Sequence, residues 1–435
     1  MAPFLRGPLG LALLALLLPA QAQTAPPPDA ELAGLALADA APTETAPTRR
    51  AWQASIEPAL RQVRLRGETG PWRSAQGLGL DLALDLPLGG EGPTAWRLLA
   101  ADRLDLTGPE RLPGERRAVN TLKELYASQR PSAEWVLDLG RINNRLGVAS
   151  GYNPTDYFKR QALRNTTAID PASLRENRLG VAMARVQKVW DGGSLTGVFA
   201  PKLADAPSSG AWSPDWGASN GRPRWLLTWT QAWAEDLAPQ WLLHGDGQPG
   251  HSPQLGLNLT RLLNQACVAH LELSTGRSRT LLAQALGDLQ APVAQHTQLA
   301  TGLSCTTSRK LTLTAEWQHN GLAPGRADWS ALQTGDPLRY GAYRQAAQAQ
   351  QEPATRDSLF LMLRWQDALA PKLDLNAFAR ISRVDHSRLL WLEARYHQDS
   401  TDWAAQWQQH RGQGLSEFGA LPQARVIRLL VRHYF

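Results

Sequence analysis

The residues able to do chemistry in this chain are charged side chains spaced two apart within otherwise apolar runs. Arg178, Glu316, Arg364, Asp374, Arg380, Glu393, Arg395, Arg428 and Arg432 sit in such runs, and Glu134, Asp138 and Arg141 belong to another. Residues i and i+2 share one face of an extended chain, so the spacing predicts strands with a charged, water-facing side. Charges of both signs around a hollow interior set a transverse field and a cross-section, which select solutes by charge and size. Hydrolytic chemistry is not expected. His244, His270, His386 and His433 have no Gly-x-Ser-x-Gly neighbour, and no paired Ser–His–Asp arrangement is identifiable. Cys267 and Cys305, with His270 and His296 nearby, lack the spacing of a metal motif, so neither metal nor cofactor is expected. The two thiols are expected to stand unpaired as small strand residues, although an exported chain allows one disulfide.

The chain around these residues has 435 positions, 43% of them hydrophobic and 19% charged. Long apolar runs recur nowhere, which excludes a bundle of membrane-spanning helices. The 17 tryptophans are too many for a disordered chain. A net charge of +6, spread along the sequence, is no nucleic-acid footprint. Met1 to Ala22 has the form of a secretory signal peptide, with Arg6, an apolar stretch from Leu9 to Leu18, and the cleavage site Ala20-Gln21-Ala22. Residues 23–50 are rich in Ala and Pro and are expected to form a periplasmic tail. Residues 51–435 are expected to form one domain.

Period-two alternation dominates that domain. Leu311, Leu313, Ala315 and Trp317 oppose Lys310, Thr312, Thr314 and Glu316; Leu359, Leu361, Leu363 and Trp365 repeat the pattern. About 18 segments read this way, from 58–68 to 424–435 and including 278–286. A soluble sandwich of that size would bury many of the polar-face charges without partners. A closed barrel turns them toward a watery lumen and the leucines toward lipid. The expected fold is therefore all-β, a transmembrane antiparallel up-and-down β-barrel of 16–18 strands. Trp190, Trp225, Trp317, Trp365 and Tyr396 fall near segment ends, where aromatic rings meet headgroups. Residues 201–223 and 320–356 read as long extracellular connections, and 191–193, 235–236 and 368–370 as short turns at the opposite end. This parity puts both barrel termini at the periplasmic side. Residues 114–130 break the alternation, and Ala118, Leu122, Leu125 and Tyr126 predict a short loop helix.

Two local patterns resemble known families. In residues 424–435, Ile427, Leu429, Val431, His433 and Phe435 form one face, and Arg428, Leu430, Arg432 and Tyr434 the other. This resembles the C-terminal assembly signal of bacterial outer-membrane barrels. The resemblance implies that the last strand pairs with the first, that Phe435 is read by the barrel assembly machinery, and that His433 lies near the membrane interface. Gly140-Arg141 followed by Asn153, Pro154, Asp156 and Phe158 resembles the N-P-x-D-x-F loop of porin-like and alginate-export-type outer-membrane barrels, over roughly residues 135–186. It implies a cell-outer-membrane location, with lipid and lipopolysaccharide as surroundings and a small solute or glycan polymer as cargo. Asn153-Pro154 nucleates a turn, and Asp156 is placed to accept from Arg160 or Arg164, which would hold the loop against or into a pore. The function expected first is passive or gated passage of small solutes. A polymer-export barrel and a structural or secretion-associated barrel are the alternatives.

Overall fold

The alternation seen in the sequence carries through to the backbone of a computed structural model that describes residues 51–435, except 90–93, 111, 113–114, 166–168 and 235. The leader and the Ala/Pro-rich tail lie outside the described residues. Eighteen strands follow one another: β1 (Trp52–Leu65), β2 (Arg73–Leu88), β3 (Trp96–Thr107), β4 (Ala118–Ser132), β5 (Trp135–Ile142), β6 (Val181–Trp190), β7 (Gly193–Ala200), β8 (Arg224–Gln231), β9 (Gln240–Asp246), β10 (Gln254–Asn264), β11 (Cys267–Ser278), β12 (Ala294–Thr306), β13 (Leu311–Asn320), β14 (Asp357–Trp365), β15 (Leu373–Ser382), β16 (Arg388–Gln398), β17 (Thr401–Arg411) and β18 (Gln423–Tyr434). Short helices occupy the long connections: α1 (Pro171–Glu176), α2 (Trp216–Ser219), α3 (Leu281–Leu286), α4 (Arg326–Thr334) and α5 (Pro337–Gln350). None of the helices is long and apolar enough to cross a membrane.

Each strand pairs antiparallel with the next, and β18 pairs with β1, with Leu60 opposite Leu429 and Arg61 opposite Arg428. The sheet is thus a closed up-and-down barrel of the transmembrane type. Closure leaves no unpaired edge, which a hydrocarbon surrounding requires. The outward face carries the leucines: Leu139 is 63% exposed, Leu60 56% and Leu429 53%. Facing outward at the short-turn end are Trp52, Trp96, Trp135, Trp229, Trp365, Tyr396 and Trp403, and Lys188 lies over the Trp135 ring at 5.6 Å. Trp225 and Trp317 face outward at the opposite end, so aromatic rings flank the apolar band on both sides. In β18, Ile427, Leu429, Val431 and His433 turn outward and His433 hydrogen-bonds Thr401; just past the strand, Phe435 is exposed and its amide donates to the Ala54 carbonyl.

Three local expectations are corrected. Residues 118–130 do not form a loop helix; they belong to β4, and the start of the expected helix at 114 lies outside the described residues. A bulge opposite Ala101 and Asp102 sets Lys123 beside Glu124, so the outward residues Leu122 and Leu125 stand three apart and imitate a helical step. Residues 278–286 are not a strand, since β11 ends at Ser278 and α3 follows. Thr280 caps that helix through Ala283 N, and Gly287 closes it at φ 65°. One missed strand and one false strand offset each other in the count. Cys267 and Cys305 are not free: they form a disulfide between directly opposite outward positions of β11 and β12, with a Cα–Cα distance of 4.1 Å. Thirty-eight residues separate them in sequence, and only the β11–β12 register brings them together.

The sidedness of the wall makes a measurable difference. Leu429→Arg, on the lipid-facing side, is expected to destabilise the barrel by about 2–4 kcal/mol in urea titrations from lipid vesicles, whereas Ala83→Arg, facing the lumen, costs clearly less. Equal penalties would contradict the assignment of faces.

Candidate functional site

The inward positions of neighbouring strands bring distant charges together. Glu57 accepts from Arg103 at 3.0 Å, from Arg428 at 3.0 Å and from Arg432 at 2.5 Å. Arg103 also contacts Asp105 at 3.0 Å and Asp81 at 2.5 Å, and Lys123 reaches Asp81 at 2.9 Å. A second group joins Glu393 to Arg395 at 2.9 Å and Arg395 to Asp402 at 3.4 Å. His397 lies between Asp374 and Asp402, at 3.3 and 2.8 Å. Asp138 pairs with Arg185 at 2.7 Å across β5 and β6. Arg364 also faces inward, exposed and without an ion pair among the described residues. Each network is the side-on consequence of register: inward residues two or four apart on one strand meet the inward residues of its neighbours.

Between β5 and β6, residues 143–165 and 169–180 leave the wall, and the first of these stretches crosses the lumen. Arg178 ties its two feet together. Its guanidinium donates to Asp156 Oδ2 at 2.6 Å, to Asn143 Oδ1 at 2.7 Å and to the Asn144 carbonyl at 2.8 Å. On the far side, two wall carboxylates receive the loop's backbone. Glu272 of β11 accepts from the amides of Val148 (2.9 Å), Ala149 (3.1 Å) and Thr155 (2.8 Å), and from the Thr155 hydroxyl (2.9 Å) and Asn153 Nδ2 (3.1 Å). Glu316 of β13 accepts from the amides of Ser150 (2.5 Å) and Gly151 (2.8 Å), with His270 Nε2 at 3.1 Å. Arg380 of β15 donates to the Gly151 carbonyl. Gly147, at φ 97°, lies so close to the Glu272 carboxylate that a Cβ there would displace it.

The rest of the loop is equally fixed. Tyr152 donates to Glu352 at 2.6 Å, and Lys159 pairs with the same carboxylate at 2.8 Å. Burial, and the Glu352 carboxylate beside it, push the Tyr152 phenol well above its usual range. Tyr157 stacks on His244 at 4.3 Å, and Phe158 is buried among Ile142, Val181, Met183, Leu226 and Leu242. Above it, α4 and α5 pack Trp329, Tyr340 and Tyr343 against Leu281 of α3. Glu417, in the β17–β18 connection, accepts from Thr355 at 2.5 Å and from the Ala354 amide at 3.3 Å; burial pushes its carboxyl up.

Of the charged residues singled out in the sequence, Asp138, Glu316, Arg364, Asp374, Arg380, Glu393, Arg395, Arg428 and Arg432 face the lumen from the wall. Three do not. Arg141 is turned outward, opposite Leu125 and Ala182, and is covered by the β7–β8 connection: it lies 4.2 Å over the Trp216 ring and donates to the Pro214 carbonyl at 2.5 Å. Simple alternation from Asp138 dictates that direction. Glu134 is exposed in the short β4–β5 turn. Arg178 belongs to the crossing loop rather than to the wall. The partner of Asp156 is Arg178, not Arg160 or Arg164; Arg164 instead donates to the carbonyls of Asn120, Gly210 and Ser213. Glu57, Asp81, Arg103 and Glu272 escaped the sequence reading. For Asp81 and Glu272 the visible signal was an acid between two leucines, Leu80-Asp81-Leu82 and Leu271-Glu272-Leu273.

No family model and no curated protein matches this sequence. Solved structures do match in shape. Against Pseudomonas aeruginosa OpdL the TM-score is 0.54, at 15% identity over 88% of this chain and 98% of that one. Against Acinetobacter baumannii OccAB1 it is 0.55, at 9% identity over 88% and 96%. The outer membrane protein OpdK of Pseudomonas aeruginosa gives 0.52, at 11% identity over 88% and 98%. The chain shares their fold.

The double clamp on the crossing loop predicts its own failure. In a Glu272→Ala, Glu316→Ala variant, hydrogen exchange at the amides of residues 148–151 and 155 is expected to accelerate by about tenfold or more, with the ladder amides of β11 and β13 unchanged. Uniform acceleration would mean that the two carboxylates hold the wall rather than the loop.

Proposed function

We propose that this protein is an outer-membrane channel through which small solutes diffuse along a mixed-charge lumen narrowed by residues 143–165. The observation that carries this reading is the capture of the loop by Glu272 and Glu316. A barrel that served only as a structural wall has no need of a segment pinned across its interior by seven hydrogen bonds to two wall carboxylates. The exposed leucine band, the two aromatic zones and the exposed Phe435 support an outer-membrane setting. The likeness in fold to the outer membrane protein OpdK agrees with it. We assign the protein no reaction, and its cargo is selected by size and charge.

We take the Glu57 group and Arg364 as the cation-rich part of a lumen whose second group is acidic, with Arg395 set among Glu393, Asp402 and Asp374. In the Glu57 group, the four cations Arg103, Lys123, Arg428 and Arg432 gather around the carboxylates of Glu57, Asp81 and Asp105. Arg364 adds an exposed cation on another part of the wall. Where fixed positive charge is in excess, the local concentration of anions rises.

Planar-bilayer recording of the purified protein tests both points. Stable conductance steps are expected, with a zero-current potential under a KCl gradient that reports anion preference. Arg364→Glu is expected to move that potential toward cation preference without abolishing the steps. The Glu272→Ala, Glu316→Ala variant is expected to raise the step size. A silent wild-type protein would favour a barrel without open conductance.

A further inference from the structure

At the long-loop end of the barrel, four exposed arginines face outward on four adjacent strands: Arg64 of β1, Arg425 of β18, Arg411 of β17 and Arg388 of β16. They share faces with the outward residues Leu60, Ile427, Trp407 and Leu392 on the same strands. The register sets them in two direct cross-strand pairs, Arg64 opposite Arg425 and Arg388 opposite Arg411. Like charges placed directly opposite each other destabilise a sheet, and here the arrangement occurs twice, side by side. Among the described residues no carboxylate contacts any of the four; Arg411 Nε donates to Gln409 Oε1 at 2.9 Å. The acids of the flanking connections are committed elsewhere. Glu68 pairs with Arg73, Asp385 accepts from Trp329 and Ser387, and Glu417 from Thr355.

We propose that this arginine band binds the phosphate groups of lipopolysaccharide in the outer leaflet. The proposal rests on the outer-membrane reading above and deepens it by naming the lipid and the sector of wall that holds it. Two features specify the occupant. Guanidinium groups present a planar fork that matches phosphate oxygens, and two such pairs, offset by one dipeptide step of about 7 Å, form a site for more than one phosphate. Directly below, on the same strands, the apolar face continues through Leu60, Ile427, Leu429, Leu392 and Trp403, all exposed, which is the environment acyl chains need. A free anion would use the first feature and ignore the second. Elsewhere on the outward rim, Arg277 of β11 is exposed beside Gln295, without an arginine opposite it.

The test uses the full chain folded in detergent and freed of lipopolysaccharide, with the thermal unfolding midpoint and lipid retention as readouts. Lipopolysaccharide is expected to raise the wild-type midpoint. Arg411→Gln with Arg425→Gln is expected to abolish at least half of that rise and to weaken retention by about tenfold. Without lipid, the same variant is expected to unfold at the wild-type midpoint or above it, because repulsion within the two pairs is relieved. A merely destabilising substitution would lower both values. The proposal is overturned if the rise persists in the double variant, if Arg277→Gln removes as much of it, or if dephosphorylated lipopolysaccharide or inorganic phosphate alone reproduces it. Should the double variant lose the heat-modifiable gel shift of a folded barrel, Arg425→Gln alone carries the same comparison. Conductance is recorded in parallel. A silent wild-type channel that still responds to lipopolysaccharide sinks the transport reading and leaves this one standing, and the opposite result does the reverse.

Discussion

A backbone amide that faces hydrocarbon finds no water, and every other feature of this protein follows from that deprivation. The strands must pair on both edges, so the last meets the first and the sheet closes. Closure of an up-and-down sheet puts its first and last strands side by side and sorts the connections into a short-turn end and a long-loop end. It also divides every strand into a lipid side and an enclosed side. Away from the rims and the loop-covered Arg141, the ion-paired charge of the wall gathers on the enclosed side, and the interior becomes the polar phase of the molecule.

That interior is not simply lined with charge; it is knitted by it. A carboxylate withdrawn from bulk water is stable only when donors surround it, and removing one partner leaves a costly orphan. Glu57 meets the requirement with three guanidinium groups, two of them from β18, which adjoins β1 only because the barrel closes. Glu272 and Glu316 meet it in another way, by recruiting the unpaired amides of a segment that has left the sheet. A loop backbone inside a barrel needs acceptors and the wall acids need donors, so each satisfies the other's demand. Arg178 closes the remaining degree of freedom by holding the loop's two feet together through Asn143 and the Asn144 carbonyl, and by gripping Asp156 between them.

Much of this was legible from the sequence, because period two is both the signature of a strand and the rule that sorts side chains by face. The barrel, its outward leucines, the last strand with Ile427, Leu429 and Val431 on one side, and the inward direction of Glu316, Arg380 and Arg428 all follow from counting by two. The count fails where the backbone departs from it. The bulge at Lys123 turned β4 into an apparent helix, and the Thr280-capped turn of α3 passed for a strand. Arg141 was grouped with the lumen on the strength of its charge, although its own alternation with Asp138 pointed outward. Its burial against Trp216 comes from a connection some seventy residues later, which no local pattern reports. Cross-strand facts were hidden for the same reason. The Cys267–Cys305 bond and the partners of Glu57 depend on register between segments, and register is a property of pairs rather than of either sequence.

The two halves of the wall divide the work unequally. The crossing loop departs from β5, is received by β11, β13 and β15, and fills the sector between them with backbone, aromatic rings and the helices packed above. The sector from β16 through β18 to β3 receives none of those clamps. There the inner face is held by side chains alone, through the Glu57 and Glu393 groups. The outer face of part of the same sector carries the unneutralised arginine pairs. A strand whose inner face is cross-linked by ion pairs can tolerate repulsion on its outer face, because its register is already fixed from within. The stability of the lumen network is thus what permits cations to stand opposed on the membrane side, where only an external anion can relieve them.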